Sequence, residues 1–185
     1  MFTNKLLPGS NFPDIEVKLS PSETFTLGST INKDADWQMV IVYRGAHCPL
    51  CTKFLNTLED YKYLFLDLGI ELIAVSADRH KQLEQHKADL NVGFTLGYGL
   101  SLAGMDKLGV YQSVPRNEHE TDHVFSEPAL FIINRDKTII AVDISNNPFC
   151  RPEVNTLYEG LKWVRNPENN YPIRGTHNEP VVKDC

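Results

Sequence analysis

Apolar residues along the chain alternate between two rhythms, and the switch from one to the other marks the elements. Ile15-Glu16-Val17-Lys18-Leu19 alternates apolar with polar and predicts a half-exposed strand. Thr24 to Leu27 is its expected partner, after a turn at Pro21-Ser22. Met39 to Tyr43 is a nearly unbroken apolar run, which suits a strand buried on both faces. The period then lengthens. Leu50, Phe54, Leu55, Leu58, Tyr61 and Leu64 recur mostly at steps of three and four, the spacing of one helix face. Ile70 to Ser76 reads as a second buried strand, and Asp78 to Leu90 as a polar helix anchored by Leu83 and Leu90. A short strand at Val92–Leu96 and a short helix at Leu100–Leu108, ended by Gly109, follow. Ser113 to Glu127 reads as a polar, acidic, solvated loop. Pro128–Ile133 and Thr138–Asp143 make a hairpin around the turn residues Asn134 to Lys137. Val154, Leu157, Leu161 and Val164 define one face of a last helix. This order predicts one α/β domain over residues 1–185, with a central mixed sheet flanked by helices and an N-terminal β-hairpin. The strands at 39–43 and 70–75, joined through a helix, should be parallel with a right-handed crossover.

Composition narrows the class. The chain has 185 residues, 42% hydrophobic and 23% charged, which fits a soluble domain with a full core. A net charge of −6 argues against a nucleic-acid partner. No apolar run approaches the ~20 residues of a membrane span, and Met1 to Ser10 lacks the pattern of a secretory signal. Four cysteines are too few for a disulfide scaffold, so a reducing, cytoplasmic setting is expected.

The chemistry gathers at Arg44-Gly45-Ala46-His47-Cys48-Pro49-Leu50-Cys51, where the buried strand turns into the helix. Pro49 suits a first helical turn, because its missing N–H has no partner there anyway. A thiol at that junction meets free backbone N–H groups and the positive end of the helix dipole, both of which favour thiolate. Arg44 and His47 could add positive charge. Cys51 lies about one turn on, near enough to close a small disulfide ring. A Cys-x-x-Cys is also half of a zinc site, but no second pair follows. Two buried structural cysteines are the other plain alternative. The strand–turn–Cys-Pro-x-Cys–helix setting favours a redox pair. His119 and His123 are spaced by four, but a solvated loop explains them more simply than a metal. Ser76 and Asp78 are expected to cap the following helix, Trp37 and Trp163 to pack in the core, and Cys150 to fill a small buried space. Cys185 is expected to be a free terminal thiol.

This order of elements around Cys48 and Cys51 resembles the thioredoxin fold. It is most similar to the peroxiredoxin-like alkyl hydroperoxide reductase and thiol-specific antioxidant family. Phe12-Pro13-Asp14-Ile15 resembles that family's opening, Val40 to Gly45 with His47 to Cys51 a subgroup carrying this dithiol, and Val75 to Asp78 the end of the next strand. Pro128 to Ile133 resembles the strand after the fold's cis-proline, which implies that Ser126–Pro128 faces Cys48 with a cis bond before Pro128. The family's Pro-x-x-x-Thr-x-x-Cys is not reproduced. Reading Cys48 as the reactive cysteine puts Ile41 and Gly45 at the proline and threonine positions; reading Cys51 puts Arg44 and Cys48 there and keeps the strand in register. The family's arginine near the Phe131 position is replaced by Glu127-Pro128, and Arg44 is the candidate substitute.

Three functions follow from this resemblance and the dithiol. The first is a thiol–disulfide oxidoreductase in which Cys48 attacks a partner disulfide and Cys51 resolves, with Arg44, His47 and Pro128 completing the site. The second is a thiol peroxidase that reduces hydrogen peroxide or alkyl hydroperoxides with the same pair and an external thiol donor. The third is a non-enzymatic redox-sensing or binding module. None needs a metal or an organic cofactor. Relatives in this family often dimerise, so a homodimer is a further expectation.

Overall fold

A computed structural model describes residues 5–177. Cys185 lies outside these residues. The elements are β1 (Glu16–Ser20), β2 (Glu23–Thr26), β3 (Trp37–Val42), α1 (Pro49–Asp67), β4 (Ile70–Val75), α2 (His80–His86), β5 (Thr95–Gly97), α3 (Leu102–Leu108), β6 (Gln112–Ser113), β7 (Phe125–Ser126), β8 (Ala129–Ile133), β9 (Ile139–Ile144) and α4 (Val154–Arg165). The central sheet has the order β5-β4-β3-β8-β9. β3, β4 and β5 run parallel, while β8 lies antiparallel to β3 and β9 antiparallel to β8.

β3 occupies the middle of this sheet, which is why its sequence is apolar on both faces. Val40 and Val42 face a core shared with Ile15, Val17, Met105, Leu108 and Phe131. Met39, Ile41 and Tyr43 face the opposite core, shared with Leu55, Leu58, Phe65, Leu130 and Leu161. The β1–β2 hairpin and α3 therefore cover one side of the sheet, and α1 and α4 the other. α3 is closed by Ser101, whose side chain accepts from the Gly104 N–H, and by Gly109 in a left-handed conformation.

Several expectations change. The buried stripe of α1 is Cys51, Leu55, Leu58 and Phe65, whereas Leu50 and Leu64 are exposed. The helix is rotated from the Leu50-centred face because both cysteines turn into the core. The stretch 113–127 is not a plain solvated loop, since β6 and β7 pair across its base. α2 starts at Arg79 as N-cap, so Asp78 is free for another task. Trp163 is exposed on α4, and Cys150 is exposed rather than buried.

The peptide bond before Pro128 is trans, against the cis expectation. The backbone on both sides is held extended: Glu127 N–H donates to the Tyr111 carbonyl and Ser145 N–H to the Pro128 carbonyl. The chain passes straight from β7 into β8, and trans is the ordinary isomer of such a bond.

Leu58→Ala should lower stability by about 2–5 kcal/mol, because its fully buried side chain leaves a cavity. Leu50→Ala should change it by less than about 0.5 kcal/mol. Urea denaturation of the two variants checks the rotated face directly.

Candidate active site

β3 and β4 end side by side, and the chain leaving β3 turns at residues 44–47 before α1 begins. Gly45 makes that turn with a φ of +127°, and a Cβ there would lie 2.5 Å from an Asp78 carboxylate oxygen. Asp78 is fully buried just past the end of β4. Its Oδ2 accepts from the Ala46 N–H at 2.8 Å, so the carboxylate pins the turn rather than capping α2. Burial raises the Asp78 carboxyl above its ordinary range, against hydrogen bonds from Ala46 and Ser76 and the nearby His123 and His86.

Cys48 is the N-cap of α1. Its Sγ accepts the Cys51 N–H at 3.2 Å, a donor it shares with its own carbonyl at 2.9 Å. Thr52 adds a hydroxyl bond to the Cys48 carbonyl, and that hydroxyl also contacts His86 Nε2 at 2.8 Å. The two sulfurs are joined as a disulfide with the Cα atoms 5.2 Å apart. Both cysteines are buried. An open groove of about 690 Å³ runs along α1 beside this turn, lined by Ala46, Pro49, Lys53, Asn56 and Asp60, and neither cysteine lines it.

The residue that touches the second sulfur is Arg151, which sequence reasoning missed. It stands between β9 and α4, and its Nη2 donates to Cys51 Sγ at 2.9 Å. The guanidinium stacks on Phe54, 4.8 Å from the ring centre. Its Nε and Nη1 have no hydrogen-bond partner. Burial pushes the Arg151 pKa down to about 10, while Asp143 and Glu127 favour its charge and Arg44 opposes it. It is still a cation at pH 7. Pro128 and Phe54 line a small cavity together with Arg151, so Pro128 stands on the arginine side of the site.

Arg44 serves a different contact. Its Nη2 lies 3.2 Å from Glu120, its Nε 3.6 Å from Glu127, and its guanidinium stacks on Phe125. It ties the 116–127 segment to the active-site turn. His47 packs on the same Phe125 ring at 4.6 Å, and neither of its nitrogens has a partner. Burial, then Arg44, lowers the His47 pKa to about 4, so the imidazole is neutral at pH 7 and adds no positive charge to Cys48. His123 lies 3.6 Å from Asp78 and 2.9 Å from Asp122. Asp122 in turn holds Arg79 at 2.8 Å. These contacts strap residues 116–123 over a polar pocket of about 550 Å³ lined by His47, Asp78, Arg116, His119 and Glu120. Among the described residues no cluster of three or more His, Cys, Asp or Glu could hold a metal. No helix among them is long and apolar enough to cross a membrane.

Similarity to known proteins agrees with this picture. The profile of the AhpC/TSA family matches residues 8–142. No curated protein matches the sequence. Among solved structures, a peroxiredoxin-like protein from Aquifex aeolicus is 18% identical, with a TM-score of 0.68 over 85% of this chain and 87% of its own. Peroxiredoxin 6 of Arenicola marina is 17% identical, with a TM-score of 0.71 over 86% and 74%. A putative thiol:disulfide interchange protein DsbE from Chlorobium tepidum is 15% identical, with a TM-score of 0.64 over 87% and 99%. At these identities the likeness shows the fold, which is thioredoxin-like.

The lowered His47 pKa has a consequence for stability. Between pH 6.5 and about 4 the unfolded chain takes up a proton at His47 that the folded chain refuses. Its contribution is therefore complete above 6.5 and is lost as the pH falls toward 4. His47→Gln should lose less stability than the native protein over that range, as read from urea midpoints at pH 7 and about pH 4.

Proposed function

The chain belongs to the AhpC/TSA family of redox enzymes, and on that premise we propose that it is a thiol peroxidase in which Cys51 meets the peroxide and Cys48 resolves. The observation that carries this order is the Arg151 guanidinium at 2.9 Å from Cys51 Sγ, with two further nitrogens, Nε and Nη1, unpartnered. A buried cation beside a thiol favours the thiolate. The spare donors suit the peroxide oxygens, whose charge grows as the bond breaks. This is the register in which Cys48 stands at the family's threonine position, and Arg151 supplies from a different element the arginine missing at Glu127-Pro128.

The reaction runs in three steps. The Cys51 thiolate attacks one peroxide oxygen; the O–O bond breaks, and the leaving hydroxide or alkoxide takes up a proton. The product on the enzyme is Cys51 sulfenic acid. Cys48, as thiolate, attacks that sulfur; the S–O bond breaks and water leaves with a proton. Two electrons from an external thiol donor then reopen the disulfide, and the donor leaves as its own disulfide.

A second reading has its own support. Cys48 is a helix N-cap whose sulfur already accepts a backbone N–H, an arrangement that suits attack on a partner's disulfide with Cys51 resolving. Burial of both sulfurs favours the smaller substrate, since a peroxide reaches a site that a protein disulfide would have to open.

Stopped-flow mixing of the reduced protein with hydrogen peroxide separates the two readings. The peroxidase reading expects fast thiol loss that Cys51→Ser abolishes, and that Cys48→Ser confines to one turnover ending in a sulfenic acid. Arg151→Met should slow the step by about a hundredfold, the usual effect of removing one preorganised donor. Thiol loss no faster than that of a small free thiol, or a fast step that survives Cys51→Ser, would sink it.

A further inference from the structure

A second opening in the molecule lies far from the dithiol. Trp37 begins β3, whereas Cys48 follows its other end, so the length of the strand, about 17 Å, separates them. β9 is the edge strand of the central sheet, and it begins at the Trp37 end. Between its first residues and the chain beyond α4 lies a cleft of about 420 Å³, a size that suits a small molecule. β3, β9 and α4 contribute Trp37, Ile140, Val142 and Leu161, and the segment 171–174 contributes Tyr171, Ile173 and Arg174. Leu161 is buried, but Trp37, Ile140, Val142 and Ile173 are only half-buried and Tyr171 is exposed. The redox chemistry gives no reason for apolar surface in this place.

The cleft is preformed. A Cβ on Gly9 would lie 3.0 Å from the Thr176 methyl carbon, and one on Gly175 3.3 Å from Pro8, so the chain on either side of Arg174 is packed down. Among the described residues, Arg174 is the only charged side chain that lines the cleft. Its guanidinium lies over the Tyr171 ring, 4.9 Å from the centre, and faces no carboxylate there. Arg165, stacked on Trp37 at 4.6 Å, is by contrast committed to Asp36. An apolar cleft with a free cation at its exposed edge suits a molecule with an apolar chain and one carboxylate. Burying the chain removes apolar surface from water on both partners, and a guanidinium takes a carboxylate through two parallel N–H bonds.

We infer that this cleft binds an apolar monocarboxylate, with its chain between Trp37, Val142 and Ile173 and its carboxylate on Arg174. The site is separate from the dithiol and is independent of whether the chain reduces peroxides or disulfides.

Trp37 reports on the site. The protein has two tryptophans, and Trp163→Phe, at an exposed position of α4, leaves Trp37 as the only one. Decanoate, added below its micelle concentration, should change the Trp37 emission saturably, and calorimetry on the native protein should give the same constant. Each further CH2 from octanoate to dodecanoate should tighten binding by about fourfold while the cleft has room. Decanol should bind about tenfold more weakly than decanoate, because it lacks the charge. Arg174→Glu should weaken decanoate by about tenfold or more and leave decanol unchanged, and Arg174→Lys should recover most of the loss. Ala141→Phe, which fills the cleft, should abolish binding of both. No saturable binding, equal constants for decanoate and decanol, or binding indifferent to both Arg174→Glu and Ala141→Phe would overturn the inference. If Ala141→Phe fails to fold, the exposed Arg174 variants decide alone. A dimer in size-exclusion chromatography that takes decanoate only after dissociation would assign the cleft to a second copy of the chain, and would overturn it as well.

Discussion

A guanidinium held largely out of water against the Cys51 sulfur is the interaction on which the chemistry of this fold turns. Burying an ion costs several kcal/mol unless something nearby compensates. Here the compensation is partial: a stack on Phe54, worth about 0.5–2 kcal/mol for such a pair, and the distant carboxylates of Asp143 and Glu127. What would complete it is a negative charge on Cys51. The packing of α4 and the turn before it therefore bears on the reactivity of a sulfur that lies 100 residues earlier in the chain.

The scaffold delivers the two sulfurs to this arginine by ordinary means. A strand in the middle of the sheet stops, a glycine with positive φ turns the chain, and Asp78 holds the turn by one backbone N–H. Cys48 then caps the helix while Cys51 rotates into the core. The polar contacts around the turn do structural work. Arg44 bridges to Glu120 and Glu127, and neutral His47 packs on Phe125, so the 116–127 segment is fastened beside the dithiol. Two groups that looked like activators of Cys48 in the sequence thus sit where they shape the site, and the cation nearest a sulfur comes from elsewhere.

Much of the fold was legible because burial imposes a period. The two-sided apolar run of β3, the alternation of β1 and the β8–β9 hairpin with its Asn134 turn all carry their patterns openly. The junction at Cys48 was legible too, since proline after cysteine at a strand end suits only a first helical turn. The α1 face differs from the periodic expectation because Cys51, a residue of the chemistry, is also a core residue one turn before Leu55. Arg151 had no periodic signal: it lies in Asn-Asn-Pro-Phe-Cys-Arg-Pro, an irregular stretch whose neighbours in space are set by tertiary packing alone. Cys150 closes a turn by donating its N–H to the Asn147 carbonyl, and both it and Phe149 lie on the exposed side of that turn.

The central claim is that Arg151 holds Cys51, and not Cys48, as the thiolate of the reduced pair. Thiolate absorbance near 240 nm, followed against pH in the reduced protein and in the two single-serine variants, tests it most directly. The account predicts a thiolate that forms well below the ordinary thiol range, retained in Cys48→Ser and lost in Cys51→Ser. A first thiolate that appears only near the ordinary thiol range of about 8.5, or one that disappears in Cys48→Ser, would contradict it.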